Sequence, residues 1–489
     1  MFSQLGGLWA NKTPVLHLRP KRAARSGRND VGECLSLIDP ELRRLILVHA
    51  GGSFSRQNLS FAGINPRSHP SYLVGGHVWR HGADQHSLLL RLFRLMKTIR
   101  VPRLFGSFGA ALVVSGLQFL SAMFPCANAQ ADGPKFFDWE NLQSDIAGVA
   151  DRTDPNLVNS WGLALNTKAN IFWLADNGSG LSTLYQPDGT LVPLVVTIPP
   201  TSADTITPPA TTAQAAPTGI VFNTFANAFI LKEDGLPAAF IFDGEDGSIT
   251  AWNGGLNPIT SALIRVDNSS PDPTKSSVYK GLALAVRGNG GPTLYAANFH
   301  NGTVDVFDSK FNPATITGNF KDPNPPPVPQ GTSPGSTWAP FDLASIGDHI
   351  YVTFALQNDK KHDDVAGPGN GFVDVFNKEG LFIKRLITGG NLNSPWGLAR
   401  VPDDEHFGKF DDEVLLVGNF GDGHINAYNI YSGAFIETLL RRKDQPLEFN
   451  GLWSLFFFDQ KLYFTAGIVD EAHGLFGFIH PQENENPDN

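Results

Sequence analysis

Ser394-Pro395-Trp396-Gly397-Leu398-Ala399 is a polar turn that runs into a short apolar strand with a small residue at its start. The same design stands at Asn159-Ser160-Trp161-Gly162-Leu163-Ala164, Ala216-Pro217-Thr218-Gly219-Ile220-Val221 and Tyr279-Lys280-Gly281-Leu282-Ala283. Looser copies are Ala339-Pro340-Phe341-Asp342-Leu343-Ala344 and Asn450-Gly451-Leu452-Trp453-Ser454-Leu455. Taking positions 162, 219, 281, 342, 397 and 453 as equivalent, the steps are 57, 62, 61, 55 and 56 residues. A near-constant step of that size is the mark of a repeat architecture in which each unit buries its faces only against its neighbours.

Each unit has a second half. Leu294-Tyr295-Ala296-Ala297-Asn298 meets His300-Asn301-Gly302 and returns as Val304-Asp305-Val306-Phe307; Val414–Asn419 turns at Gly421-Asp422-Gly423 into Ile425-Asn426-Ala427-Tyr428. Asn-Gly and Asp-Gly turns select hairpins, and the returning strands alternate with period two. The preceding strands are apolar on both faces, as strands packed between two sheets must be. Pro199–Pro217, Ser270–Thr274 and Pro323–Pro340 cannot donate to a ladder and read as surface connections. The pattern predicts an all-β, six-bladed β-propeller over residues 132–480, with a short tail over 481–489. Radial closure also hides the sheet edges.

What precedes the repeats has another character. Met96-Lys97-Thr98-Ile99-Arg100-Val101-Pro102-Arg103 is followed by an apolar run from Leu104 to Phe124, then Ala127-Asn128-Ala129-Gln130-Ala131. A basic start, an apolar stretch and Ala-x-Ala sites form a signal peptide over 96–131, with an uncleaved anchor as the alternative. Residues 1–95 lie ahead of it, which is explained most simply by Met96 being the true first residue. A genuine extra N-terminal region is the rival. The expected product is secreted, periplasmic or extracellular, with no stable membrane anchor after cleavage.

Of the 489 residues, the first 95 hold 13 Lys+Arg against 5 Asp+Glu, whereas 132–489 hold 21 against 42, a net of −21. Such a domain repels nucleic acid and anionic membrane. The cysteines, Cys34 and Cys126, both precede the repeats, so the propeller has no disulfide and no thiolate metal site. His-Glu-x-x-His and Walker signatures are absent.

The strand-turn-strand unit resembles the NHL repeat, with Pro395-Trp396-Gly397-Leu398-Ala399 and Leu174-Ala175-Asp176 in its characteristic places. Residues from about 136 to 480 are similar to a family of exported bacterial six-bladed propellers of the TolB-like group that carries no functional name. That resemblance implies the fold and no settled activity.

Turns entering the innermost strands and turns between strands two and three share one propeller face. This places Asn159, Thr218, Lys280, Asp342, Ser394 and Asn450 in an inner ring and Asp176, Glu245, Asp246, Asn298, Asn419 and Asp422 in a second ring. His300, His424 and His473 fall nearby. The long loops Gln357–Asn370 and Gly467–Gly474 add Asp363, Asp364, Asp470 and Glu471. Converging carboxylates and amide oxygens suit a hard cation, so calcium held by Asp176, Asp342 and Asp422 is expected. Single Asx residues equally serve turn backbones. The leading expectation is a ligand- or protein-binding or scaffold module using this face, for an extracellular ligand or an envelope protein. The alternative is a metal-dependent hydrolase or lactonase with a central ion, and a third reading is a structural partner without a small-molecule site.

Overall fold

The innermost strand of every blade carries a bulge at one position. Register shifts fall between Ser160 and Leu163, Pro217 and Ile220, Tyr279 and Leu282, Pro340 and Asp342, Pro395 and Leu398, and Leu452 and Leu455. A bulge bends its strand and re-aims a side chain. Here it turns one residue of each blade toward the centre: Trp161, Thr218, Lys280, Phe341, Trp396 and Trp453. The structure is a computed structural model that describes residues 135–201, 214–272, 274–288, 290–403 and 405–482. The expectations for 1–131, and for the tail beyond Gln482, lie outside the described residues.

Six antiparallel sheets follow in chain order. Blade 1 is Ser160–Asn166, Ile171–Asp176, Leu181–Tyr185 and Val196–Thr197; blade 2 is Pro217–Phe222, Phe240–Gly244, Ser248–Trp252 and Leu263–Asp267. Blade 3 has three strands, Tyr279–Arg287, Gly291–Asn298 and Thr303–Phe307. Blade 4 is Trp338–Ile346, His349–Leu356, Phe372–Asn377 and Phe382–Thr388; blade 5 is Pro395–Arg400, Val414–Asn419, Ile425–Asn429 and Phe435–Thr438. Blade 6 takes Leu452–Phe458, Lys461–Ile468 and His473–Pro481 from the C-terminal end and borrows Phe137–Ser144 from before blade 1. The borrowed strand runs antiparallel, from Phe137 opposite Pro481 to Ser144 opposite Leu475, and closes the ring. No helix occurs among the described residues. The six blades, with the glycine-led strands innermost, are as the sequence predicts.

Three details differ. The residue of blade 6 equivalent to Gly162 is Ser454 rather than Trp453, because Leu455 pairs as Leu163 does. The last strand runs to Pro481, one residue past the expected end of the propeller, and Gln482 is bonded back to Phe136 and Asp138. The closing strand had no counterpart in the repeat.

Glycines at the bulge set the spacing of the blades. A Cβ on Gly162 would lie 2.5 Å from the Thr218 carbonyl, and one on Gly397 would lie 2.4 Å from the Trp453 carbonyl, each on the next inner strand. The core lies between faces of successive sheets. Trp173 stacks on Phe240 at 4.1 Å between blades 1 and 2, and Phe172 meets Tyr463 at 4.4 Å between blades 1 and 6. Such pairs contribute about 0.5–1.5 kcal/mol beyond the area they bury.

The bulge amide is satisfied in alternate blades. Gly219 N–H donates to Asp243, Asp342 N–H to Thr353 and Ser454 N–H to Thr465. These acceptors occupy one register position in blades 2, 4 and 6. Blades 1, 3 and 5 place Ala175, Ala297 and Gly418 there instead, and put Asp176, Asn298 and Asn419 one residue further on.

Candidate functional site: the mouth of the propeller

The inward-turned residues fill the centre. Trp161 stacks on Trp453 with ring centroids 3.5 Å apart, and Phe420 stacks on Trp453 at 4.1 Å. Trp161 meets Trp396 edge-on at 6.4 Å, and Phe341 meets Trp453 at 6.0 Å. These rings come from blades 1, 4, 5 and 6, and rings of non-adjacent blades can touch only at the axis. All are buried. The Trp396 indole N–H donates to the Lys280 carbonyl across the ring at 3.0 Å.

Lys280 is the charged member of the inner ring. Its side chain is 2% exposed, and its ammonium lies 5.0 Å from the Trp161 ring centre. It donates to Glu245 and stands 3.6 Å from Asp363. Burial works against its charge, but Glu245 and Asp363 together hold its pKa above the usual value. Burial also opposes ionisation of Glu245, and Lys280 and His362 outweigh it, so the carboxyl falls below its ordinary range. Asn177 Nδ2 donates to the other Glu245 oxygen at 3.1 Å.

The blade-4 loop supplies the opposite wall. Asn358 Oδ1 accepts from the backbone N–H of Lys360 and of His362, an Asx turn that fixes the loop. Gln357 Nε2 ties it to the Phe299 and His300 carbonyls of blade 3. His362 is 5% exposed, and its Nδ1 lies 2.6 Å from Asp363 Oδ1. That contact puts a proton on Nδ1, and Nε2, which is an acceptor in the neutral ring, is buried without a partner. Burial would raise Asp363, but the His362 hydrogen bond and the Lys280 charge hold it well below the usual carboxylate range. Next to it, burial pushes Asp364 up to about 6, and its Oδ2 has no partner.

Glu471 arrives on the blade-6 loop. Val469, Asp470 and Glu471 sit consecutively at φ +56°, +51° and +63°. A β-branched residue in the left-handed region is strained, and such strain concentrates at functional sites. Asn159 Nδ2 donates to Glu471 at 3.0 Å, and Trp453 Nε1 donates to Asn159 Oδ1 at 3.3 Å. Burial pushes Glu471 up to about 7, against that hydrogen bond and the Lys280 charge. Together these groups line a cavity of about 310 Å³, with Trp161 and Trp453 also in its lining. That is the small end of the range for ligand pockets.

Of the eight leading candidates, the structure brings Lys280 into the lining of this cavity and Asn159 behind it, bonded to Glu471 and Trp453. Asp176 is buried in its own hairpin, accepting from the Ser160 hydroxyl and the Thr183 N–H. Asn298 bonds Ser277, Asp305 and the Asn301 N–H. Asn419 bonds the Asn391 carbonyl and Asp422, while Asp422 caps the His424 N–H. Asp342 replaces the bulge glycine and packs under Gly281; burial, with Asp243 nearby, raises its pKa well above the usual value. Asn450 is exposed, one residue ahead of Gly451, which takes the place of Asn159 in blade 6. Asp176, Asp342 and Asp422 therefore do not converge on one ion. Among the described residues, the group close enough to share one is Glu245, His362 and Asp363, whose ligand atoms lie within 4.8 Å of one another. Glu245, Asp363, Asp364 and Glu471 were placed on this face by the sequence. His362 was missed, although it sits in one of the long loops that interrupt the repeat.

No family model matches the chain. Two proteins of Acanthamoeba polyphaga mimivirus, Uncharacterized protein R648 and Uncharacterized protein L690, are each 28% identical to it. The first match covers 69% of this chain and 78% of that protein, the second 68% and 82%. A third mimivirus protein, R640, is 31% identical over 208 residues, 42% of this chain and 36% of its own. These relatives are viral and lend nothing to a bacterial origin. Among solved structures, the soluble aldose sugar dehydrogenase of Escherichia coli is 14% identical with a TM-score of 0.40, covering 71% of this chain and 100% of that one. Streptogramin B lyase is 11% identical with a TM-score of 0.37, covering 71% and 98%. Likeness at this level reaches no further than the fold.

Proposed function

We propose that the mature chain is an exported ligand-binding propeller whose mouth holds a small molecule, without nucleic acid or a membrane anchor as partner. The observation that carries this reading is the aromatic plug. It turns the central channel into a blind cavity, onto which five blades direct polar side chains. A scaffold that used only its rim would have no need of a buried Lys280 ringed by Glu245, Asp363 and His362. Burying such a group is costly unless its partners are in place.

The alternative of a metal-dependent hydrolase draws on the Glu245, His362 and Asp363 group. Calcium fits it poorly. Calcium takes six to eight oxygens, whereas this group offers an imidazole and two carboxylates already engaged by the Lys280 ammonium. The chain's own ammonium stands where the ion would.

The test is the unfolding temperature of the purified protein against a panel of amines, sugars, carboxylates and divalent ions. At least one class should raise it in the wild type and leave Glu245→Gln unmoved. A panel without a single Glu245-dependent shift would return the protein to the scaffold reading.

A further inference from the structure

We propose that the mouth cavity binds a small organic cation, a compound carrying an alkylammonium group, through Asp363, Asp364, Glu471 and the unpartnered Nε2 of His362. This rests on the ligand-binding reading of the same cavity.

The first argument is charge. The cavity is lined by Glu245, Asp363, Asp364 and Glu471, and Lys280 is the one lysine or arginine in its lining. Lys280 is hydrogen-bonded to Glu245 and 3.6 Å from Asp363, so Asp364 and Glu471 are left without a close cation. Buried carboxylates in that state hold their protons toward neutral pH, as burial makes these two do, and a bound cation would release them.

The second argument is hydrogen bonding and is independent of the first. His362 is 5% exposed and lines the cavity, and its Nε2 has no partner; Asp364 Oδ2 is likewise buried and unpartnered. Both are acceptors in the form with a neutral His362 ring, whose Nδ1–H donates to Asp363, and an ionised Asp364. Orphaned buried acceptors are costly and call for an explanation. An ammonium offers N–H donors and no acceptor, which matches them.

Other ligand classes fit less well. An anion would add charge to a wall already in excess of it. A sugar wants an open aromatic face, but Trp453 is stacked between Trp161 and Phe420, and the Lys280 ammonium lies over Trp161. A divalent ion would have to displace that ammonium from Glu245.

The experiment is calorimetric titration of the protein with putrescine and with spermidine, at several pH values and in two buffers of different ionisation enthalpy. Saturable binding is expected at pH 8, weakening as pH falls through 6, with protons released on binding. Asp364→Asn with Glu471→Gln should weaken it at least tenfold, about 1.4 kcal/mol. The same pair removes buried charge, so its unfolding temperature should hold or rise, and lost binding cannot be put down to misfolding. Three results would overturn the proposal: no heat from either amine at millimolar concentration, binding indifferent to the substitutions, or binding with proton uptake. A sugar or dicarboxylate that binds in place of the amines, and is lost with Glu245→Gln, would sink the cation while keeping the ligand-binding mouth. Silence from every class, by calorimetry and by unfolding temperature, would sink both.

Discussion

Two sets of acids sit within the same inner strands and loops and serve opposite ends. Asp176 and Asp243 are held within their own blades, by a serine or threonine hydroxyl and a backbone N–H one strand away. Glu245, Asp363 and Glu471 come from blades 2, 4 and 6 and meet around a lysine from blade 3. The first set occupies positions of the repeat, where polar and small residues alternate from blade to blade and the polar ones secure the bulge amide in every second blade. The second occupies places where the repeat is broken: a lysine among tryptophans, and two long loops. In a molecule built of copies, what recurs holds the fold and what departs from the pattern is free to do chemistry.

The largest effect should come from the second set. Lys280→Met leaves the buried Glu245 beside Asp363 with no cation between them. Breaking a buried pair by removing one partner costs about 3–5 kcal/mol. Chemical denaturation near pH 8 should show that loss, and adding Glu245→Gln should recover a large part of it. A Lys280→Met protein as stable as the wild type would mean the mouth is wetter than its burial implies, and the contrast between the two sets would fail.

The next effect tests the repeat itself. Gly397→Val places its first side-chain carbon 2.4 Å from the Trp453 carbonyl of the next blade, a backbone atom that cannot turn aside. Overpacking should cost about 1–3 kcal/mol or more. Gly254, whose Cβ would meet only Trp252 at 3.9 Å, is the control, and Gly254→Ala should stay within about 0.5 kcal/mol. Equal effects of the two substitutions, measured by urea unfolding, would show that blade spacing does not depend on the bulge glycines.

The same division explains what could be read from the amino-acid order. Strand, turn and glycine recur at a near-constant step, so six blades and their inner strands were legible. Leu452-Trp453-Ser454 copies the pattern with a one-residue offset, so its frame slipped and Asn450 was placed at a mouth it does not reach. The strand Phe137–Ser144 is chosen by the vacant edge of blade 6, a tertiary fact with no local signature. Asp176, Asn298, Asp342 and Asn419 were selected because they recur or align, and recurrence is the mark of the structural set. His362 stood in a loop with no copy elsewhere. Reading the departures from the repeat, rather than the repeat, would have found it.

The smallest effect has a definite sign. Burial raises the carboxyls of Asp176 and Asp243 to about 7 from an ordinary value of 3.8. An acid whose folded pKa lies above its unfolded value contributes stability that is fully present below the unfolded value and lost as pH rises through the folded one. The unfolding temperature should therefore fall between pH 5 and pH 8. Glu245, Asp363 and Asp422, all held below their ordinary values, act the other way, and their contribution fades only as pH drops below about 4. Asp176→Asn exchanges a neutral carboxyl for a neutral amide at pH 5, where the change should stay within about 1 kcal/mol. At pH 8 the wild type has to ionise that group in a buried hairpin and the variant does not, so their difference should shift in favour of the variant as pH rises. A wild type that gains stability from pH 5 to pH 8, with a constant gap to Asp176→Asn, would mean the hairpin set is ionised throughout. The two sets of acids would then differ in position alone.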